Sequence, residues 1–473
     1  MPARPAEAIV PDPFLANEAE AGQERRISKG PTPTPRALFS SASLIVISQV
    51  VLGAVGVGSL PILARHFGPG AYNDFSLFVT LLGVVTYQDF ARALLVAALA
   101  RRDASADEIA ALARASLISI VSLAAVIGVA VLSTQSAIAL VIATLFFGLS
   151  SRDFAAMSAA GRVASASAMR NFAYALAFAL VAGLSVLVVH PLAYTLPFVA
   201  AQIGLFLAYR SWERRVPTTH EPHGTSWLAR ISGFGTLRAS PSWPRFRRDM
   251  LDLLAFNLMA SLLVSVDRLL LAHFSSDMVA GEYNAQNDLA VKLNIFSSAL
   301  GGVLLPMLAR SAVDEGEAEA GRRFVRTASW AVPTAFAGIA VLILFHRTLI
   351  DLVLGPQFAS GAHRYAWLLC GVFVQFFGFL ITPWQRARGD FTTQRRVYSR
   401  TALVTLISAV TLIPSFGADG AVATFLIARG AEAQLFAIEV SRLPAALLPR
   451  WKPSLAIGMA AALFLLASLD LGA

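Results

Sequence analysis

Apolar residues recur along this chain in long unbroken blocks, not in the one-face stripes or strict alternation of soluble helices and strands. The blocks lie near 38–63, 75–99, 117–132, 138–159, 172–189, 192–207, 251–274, 283–308, 329–345, 366–384, 402–416, 421–440 and 455–471. Most approach the roughly twenty residues that a helix needs to cross about 30 Å of hydrocarbon. The pattern predicts an all-α, polytopic transmembrane chain of about thirteen spans. Residues 1–36 carry Pro, Ala and Glu without an apolar centre, so they are expected to be a disordered cytoplasmic tail and not a signal peptide.

Composition agrees with the pattern. Hydrophobic residues make up 56% of the 473 and charged residues only 14%, against about 45–50% and about 25% in soluble domains. Mean hydropathy is +0.64. The 38 basic and 29 acidic residues leave a net charge of +9, but its placement speaks for topology and against a nucleic-acid partner. Arginines crowd alternate loops: Arg101 and Arg102, then Arg152 and Arg162, then 210–248, then Arg322 and Arg323, then Arg395 and Arg396, then Arg450 with Lys452. The intervening loops near 133–136, 190–191, 275–282 and 417–420 are almost bare, and only the loop from Arg347 to Arg364 departs from the rule. The positive-inside rule then puts the N-terminus in the cytoplasm. The single Cys370 excludes an internal disulfide.

The chain divides near its middle. The proline- and arginine-rich segment 210–248 reads as a basic cytoplasmic linker between a six-helix lobe at 37–209 and a second at 249–440, with a basic loop and an additional helix at 441–473. His220 and His223 in that linker lack further ligand types, so no metal is expected. The lobes also resemble each other: Gly70-Ala71-Tyr72-Asn73 matches Gly281-Glu282-Tyr283-Asn284, and Leu99-Ala100-Arg101 matches Leu308-Ala309-Arg310, at offsets near 210. Both halves start on the same side, which predicts a parallel repeat about a pseudo-two-fold axis along the membrane normal, with a substrate path at its interface.

Charges at membrane depth cost about 2.5–3.5 kcal/mol each on insertion scales. Asp89 and Arg92 share a face of the second span; Asn284, Asp288 and Lys292 form one stripe in the eighth; Arg429 and Glu432 lie in the twelfth; and Gln49 sits within the first. Arg268, about 8 Å from its helix end, could reach headgroups by snorkelling. Were Asp89, Lys292 and Arg429 all to face lipid, the cost would be about 8–10 kcal/mol, so they must face protein or water. One reading makes Asp89–Arg92, Asp288–Lys292 and Arg429–Glu432 self-neutralised pairs that hold helices together. The other is a hydrated cavity whose cations serve an anionic, phosphate-bearing substrate: Lys292, Arg429, Arg92 and Arg268, helped by Gln49 and Asn284. No P-loop or other enzyme motif is present, and neither catalysis nor a cofactor is expected.

The run Leu60-Pro61 through Arg65-His66-Phe67-Gly68-Pro69-Gly70-Ala71-Tyr72 resembles the start of the polysaccharide-biosynthesis flippases, which move lipid-linked oligosaccharides across bacterial inner membranes. Asp267-Arg268-Leu269-Leu270-Leu271-Ala272 and on to Tyr283 is similar to the second lobe of that family. The wider group holds the multidrug and toxin extruders and the lipid II flippases. The resemblance covers most of 38–440 through short motifs, and the span after Pro453 departs from a twelve-span pattern. It implies a multi-pass inner-membrane transporter that alternates between inward-open and outward-open states and flips an undecaprenyl-diphosphate-linked oligosaccharide. Its surroundings would be membrane lipids and polysaccharide polymerase or export machinery. By the same analogy coupling to a proton or sodium ion falls to Asp89, Asp288 and Glu432. A cation-coupled multidrug exporter of the same fold, or a membrane glycosyltransferase or ligase, are the alternatives.

Overall fold

The computed structural model describes residues 35–87, 106–159, 162–188, 190–213, 265–387, 391–441 and 453–468, with 259 and 263 in addition. The expected tail, most of the linker 210–248, half of the seventh span, and Asp89 and Arg92 lie outside the described residues. Contacts separate Met1–Ser43 from a compact unit Leu44–Ala473, and the description below concerns the second.

Every described regular element is helical. In order these are α1 (Pro35–Tyr87), α2 (Ala106–Val131), α3 (Thr134–Ala159), α4 (Val163–Ser185), α5 (Pro191–Glu213), α6 (Asp277–Lys292), α7 (Asn294–Asp314), α8 (Glu317–Leu344), α9 (His346–Val353), a 3₁₀ turn (Pro356–Gly361), α10 (Ala362–Ala387), α11 (Phe391–Ser441) and α12 (Pro453–Ser468). A helical stretch at 265–274 precedes α6.

Two of these helices are far too long for one bilayer crossing. At about 1.5 Å per residue, the 53 residues of α1 and the 51 of α11 would each exceed twice the hydrocarbon thickness. Each is broken by a glycine at positive φ: Gly68 (φ 66°) and Gly417 (φ 56°). A side chain rarely tolerates that conformation, and Pro69 withholds a backbone donor just beyond the first break. In α11 the two limbs return alongside each other, because Arg396 Nη1 donates to Glu439 at 3.4 Å and the rings of Tyr398 and Phe436 lie 6.1 Å apart. Gly420 sits where a Cβ would strike the Leu412 backbone, so the hairpin closes only without a side chain there. Each long helix therefore supplies two of the expected spans.

Among the described residues seven segments are long and apolar enough to cross a membrane, the two hairpins counting once each, and shorter apolar helices occur at Ile120–Val131 and Ile457–Ser468. The expected eighth span is interrupted: α6 stops at Lys292 and α7 starts at Asn294. The polar α6 starts on a built cap, Ser276 (φ −69°, ψ 153°), whose hydroxyl accepts from the Val279 N–H at 3.4 Å, with Asp277 in the first turn where the helix dipole favours an anion.

The closest helix pairings fall within one half of the chain or the other. Helices α3, α4 and α5 pack together with α2 beside them, whereas α10 packs against α6, α7, α8 and α11. Helix α12 lies on α8 and α10, where the rings of Trp367 and Phe464 come within 5.7 Å. A single buried apolar cluster nevertheless runs through both halves, from Leu60 and Phe78 to Phe373 and Phe436.

Candidate functional site between the two halves

Helix α6 carries the polar stripe read from the sequence, and the structure turns that stripe toward the first half. Gly281 meets the Pro69 carbonyl so closely that a Cβ could not fit. Asn284 Nδ2 donates to Asn73 Oδ1 at 2.9 Å, and Asn73 Nδ2 donates to Asp277 Oδ1 at 3.1 Å. About one turn on, Asp288 Oδ2 accepts from the Tyr72 hydroxyl at 2.9 Å and from the Ser76 hydroxyl at 3.1 Å. Lys292 follows a turn later, with Nζ 4.6 Å from the centre of the Phe178 ring and hard against Gly56. Both limbs of α1 thus descend along α6, Ser76 on one and Gly56 on the other, which shows that α1 also folds back at Gly68.

Asn73 and Asn284 are equivalent positions of the internal repeat, and they touch. Gly70 and Gly281 are equivalent as well, and the close approach of Pro69 to Gly281 lies beside them. Only a residue without Cβ permits that approach at position 281.

Asp288 is anchored from its own half by Arg268, with Nη1–Oδ1 at 2.7 Å. Arg268 Nη1 also donates to Ser76 Oγ at 2.9 Å and to Thr80 Oγ1 at 3.2 Å. Two expectations are corrected here. Arg268 does not snorkel: it is 6% exposed, because α1 offers the hydroxyls of Ser76 and Thr80 about one helix turn apart where headgroups were anticipated. Asp288 does not pair with Lys292 along its own helix; a guanidinium from the preceding stretch is the nearer cation. Among the described residues Lys292 has no ion pair. It is half-buried, and its ammonium rests on the face of an aromatic ring from the first half.

The other candidates sit elsewhere. Arg429 Nη1 donates to Glu432 Oε2 at 2.8 Å and Nη2 to the Leu263 carbonyl at 3.3 Å, with its guanidinium 5.2 Å from the Phe425 ring. Both charges are at most 5% exposed and lie within the second half, with Glu432 close to Gly378 of α10. This is the self-neutralised arrangement, the first of the two readings open from the sequence. Gln49 is half-buried on α1, and its Oε1 has no partner among the described residues.

The sequence reading missed Asp267, Tyr72 and Glu282. Asp267, 6% exposed, accepts from the Tyr283 hydroxyl. Both tyrosines of the repeat thus bind carboxylates, Tyr72 across the halves and Tyr283 within one, and the repeat motif was the signal that could have found them. Glu282 holds Ser360 and Arg364 (3.4 Å), while Arg364 Nε donates to Asp419 at 2.8 Å. That explains the loop that broke the arginine rule: Arg364 is neutralised by carboxylates from two other helices. At the same end Arg65 donates to the Leu352 carbonyl and Gln357 Nε2 to the Ala64 carbonyl at 3.3 Å, so the α9 region of the second half is tied to the first. Among the described residues no cluster of metal-ligating side chains occurs.

Neither a protein-family model nor a curated protein sequence matches the chain. Solved structures do. Lipid II flippase MurJ in an inward closed conformation superposes with a TM-score of 0.66 over 90% of this chain and 98% of its own, at 12% identity. The chain shares that fold. An inward-facing multidrug resistance MATE family transporter of the MOP superfamily matches at 0.56 over 86% of this chain and 100% of its own, with 12% identity. The eukaryotic MATE transporter AtDTX14 matches at 0.52 over 90% and 97%, with 11% identity. The shared fold is a polytopic helical bundle of two lobes, so the Asn73–Asn284 and Asp288 contacts are contacts between lobes.

Proposed function

We propose that this chain flips a lipid-linked oligosaccharide, carried on undecaprenyl diphosphate, from the cytoplasmic to the outer leaflet of a bacterial inner membrane by alternating access. The observation that carries the reading is the grading of contacts along α6. At the Gly68 end the lobes are locked together through Gly281, Asn284 and Asp288. Further down, Lys292 presents an ammonium between the lobes without a carboxylate partner among the described residues. Such a cation suits the diphosphate of a cargo whose lipid tail stays in the bilayer. By the arginine pattern the Gly68 end would face outward and the N-terminus inward, which makes the contacts at the Gly68 end an outer closure in this reading.

In this reading Lys292 is the central substrate contact, with Gln49 and Arg92 as helpers. Asn284 and Arg268 act in the outer closure, and Asp288 is the acid through which a proton or sodium ion loosens it. Arg429 with Glu432 holds the second lobe together, and Asp89 remains an ion-coupling candidate. Surface-glycan export in a strain that depends on this chain tests the proposal. Lys292→Gln should abolish export while the protein stays in the membrane, and Lys292→Arg should retain most of it. Full export by Lys292→Gln, or resistance to hydrophobic cations as the only phenotype, would favour a drug exporter and sink the glycan reading.

A further inference from the structure

The lipid-facing side of the first lobe carries an apolar groove of about 410 Å³ between α4 and α5. The two helices run antiparallel, with the Tyr209 hydroxyl donating to the Ala166 carbonyl at 2.8 Å and Gln202 Nε2 to the Tyr174 hydroxyl at 2.7 Å. The groove is cut by size alone. Its floor is Ala173, Ala177, Ala200 and Gly204, and its rim includes Phe172 and Leu176. A Cβ built on Gly204 would meet nothing within 4 Å.

One end of this groove is basic. Met169 and Ala173 pack in the same small cluster as Trp212 and Leu205, and the Arg162 guanidinium lies over the Trp212 ring at 5.1 Å. Arg162 immediately precedes α4, seven positions before Met169, and reaches that end through its contact with Trp212. Arg170 is stacked in the same region, 5.8 Å from the Phe154 ring. Tryptophan and arginine together mark a membrane–water interface, and aromatic stacking holds each cation in place without neutralising it.

We propose that the α4–α5 groove is a binding site for a phosphate-headed membrane lipid, its hydrocarbon chain lying along Ala173, Ala177, Ala200 and Gly204 and its phosphate at Arg162. The argument is charge complementarity: an apolar slot in a bilayer-crossing lobe leads to an exposed cation, and basic pockets at the ends of membrane helices select anionic headgroups. A free phosphate has no use for the slot, and a lipid with a choline head has less use for the arginine. The site is independent of the cargo that the lobes move.

The test uses the full chain in phosphatidylcholine nanodiscs, with a trace of phosphatidylglycerol bearing a diazirine on its acyl chain, and peptide mapping after illumination. The label should concentrate on 169–180 and 197–208 and be displaced by unlabelled phosphatidylglycerol but not by inorganic phosphate. Gly204→Leu, which fills the slot, should reduce capture; Ala200→Phe repeats the test at a second floor position should the first variant fold poorly. Arg162→Gln should weaken capture about tenfold, and Arg162→Lys should restore it. Labelling spread evenly over the lipid-facing helices, or unchanged capture in folded groove-filling variants, would overturn the proposal. So would displacement by inorganic phosphate, or equal displacement by unlabelled phosphatidylglycerol and by the same amount of added phosphatidylcholine.

Discussion

Replacing Asp288 with Asn should open the Gly68 end. The side chain accepts Tyr72 and Ser76 from the first lobe and pairs with Arg268 from the second, at 8% and 20% exposure for the Arg and Asp side chains. Removing one partner of a buried pair costs about 3–5 kcal/mol, because the remaining charge is stranded. Asn still accepts from the two hydroxyls and Asp288 is partly hydrated, so about 3 kcal/mol is a fair figure for the closed state. Opening lets water reach Arg268, so most of that cost falls on the closed state alone. An open population near 1% would then rise to roughly 60%. Spin labels at Ser133 and at Met278, which is 61% exposed, would report the lobe separation. Ser133 borders the Gly68 end, since nearby Tyr194 stacks on Phe67 at 5.7 Å, and Cys370→Ala removes the one native cysteine. Pulsed dipolar spectroscopy should show a long-distance population in Asp288→Asn that is absent from the parent. A folded variant with the parent's distance distribution would refute the argument that this carboxylate locks the lobes.

Three further outcomes follow from the geometry. Gly281→Val should lower the melting temperature of the closed form by the equivalent of about 1–3 kcal/mol and give the same long-distance population, because the new side chain strikes Pro69. Arg429→Leu should destabilise by about 3–5 kcal/mol by stranding Glu432, and Arg429→Leu with Glu432→Leu should recover most of that in denaturation assays; a double variant that is stable yet unable to export would give the pair a role beyond holding the lobe. Gly417→Ala should cost about 1–2 kcal/mol in the same assay through the positive φ alone, and a neutral result would mean that the hairpin turn can relax.

The bilayer made much of this protein legible in one dimension. A chain that must bury its backbone in hydrocarbon can do so as helices about twenty residues long, so apolar block length alone located the helices, and the gaps at 64–74 and 417–420 located the turns at Gly68 and Gly417. The repeated Tyr-Asn pair pointed to two related halves, and its two asparagines hydrogen-bond to each other. Partner choice was not legible. From spacing, Asp288 had Lys292 one turn away on its own helix, and Arg268 had a nearby helix end. The packed lobes instead bring the Tyr72 and Ser76 hydroxyls to the carboxylate and bury Arg268 between them. Helical periodicity says which side chains share a face, but what that face meets depends on helices distant in sequence. At membrane depth, where a charge must find a partner or water, only the tertiary arrangement decides which charges are consumed in holding the lobes and which, like Lys292, rest on an aromatic ring instead.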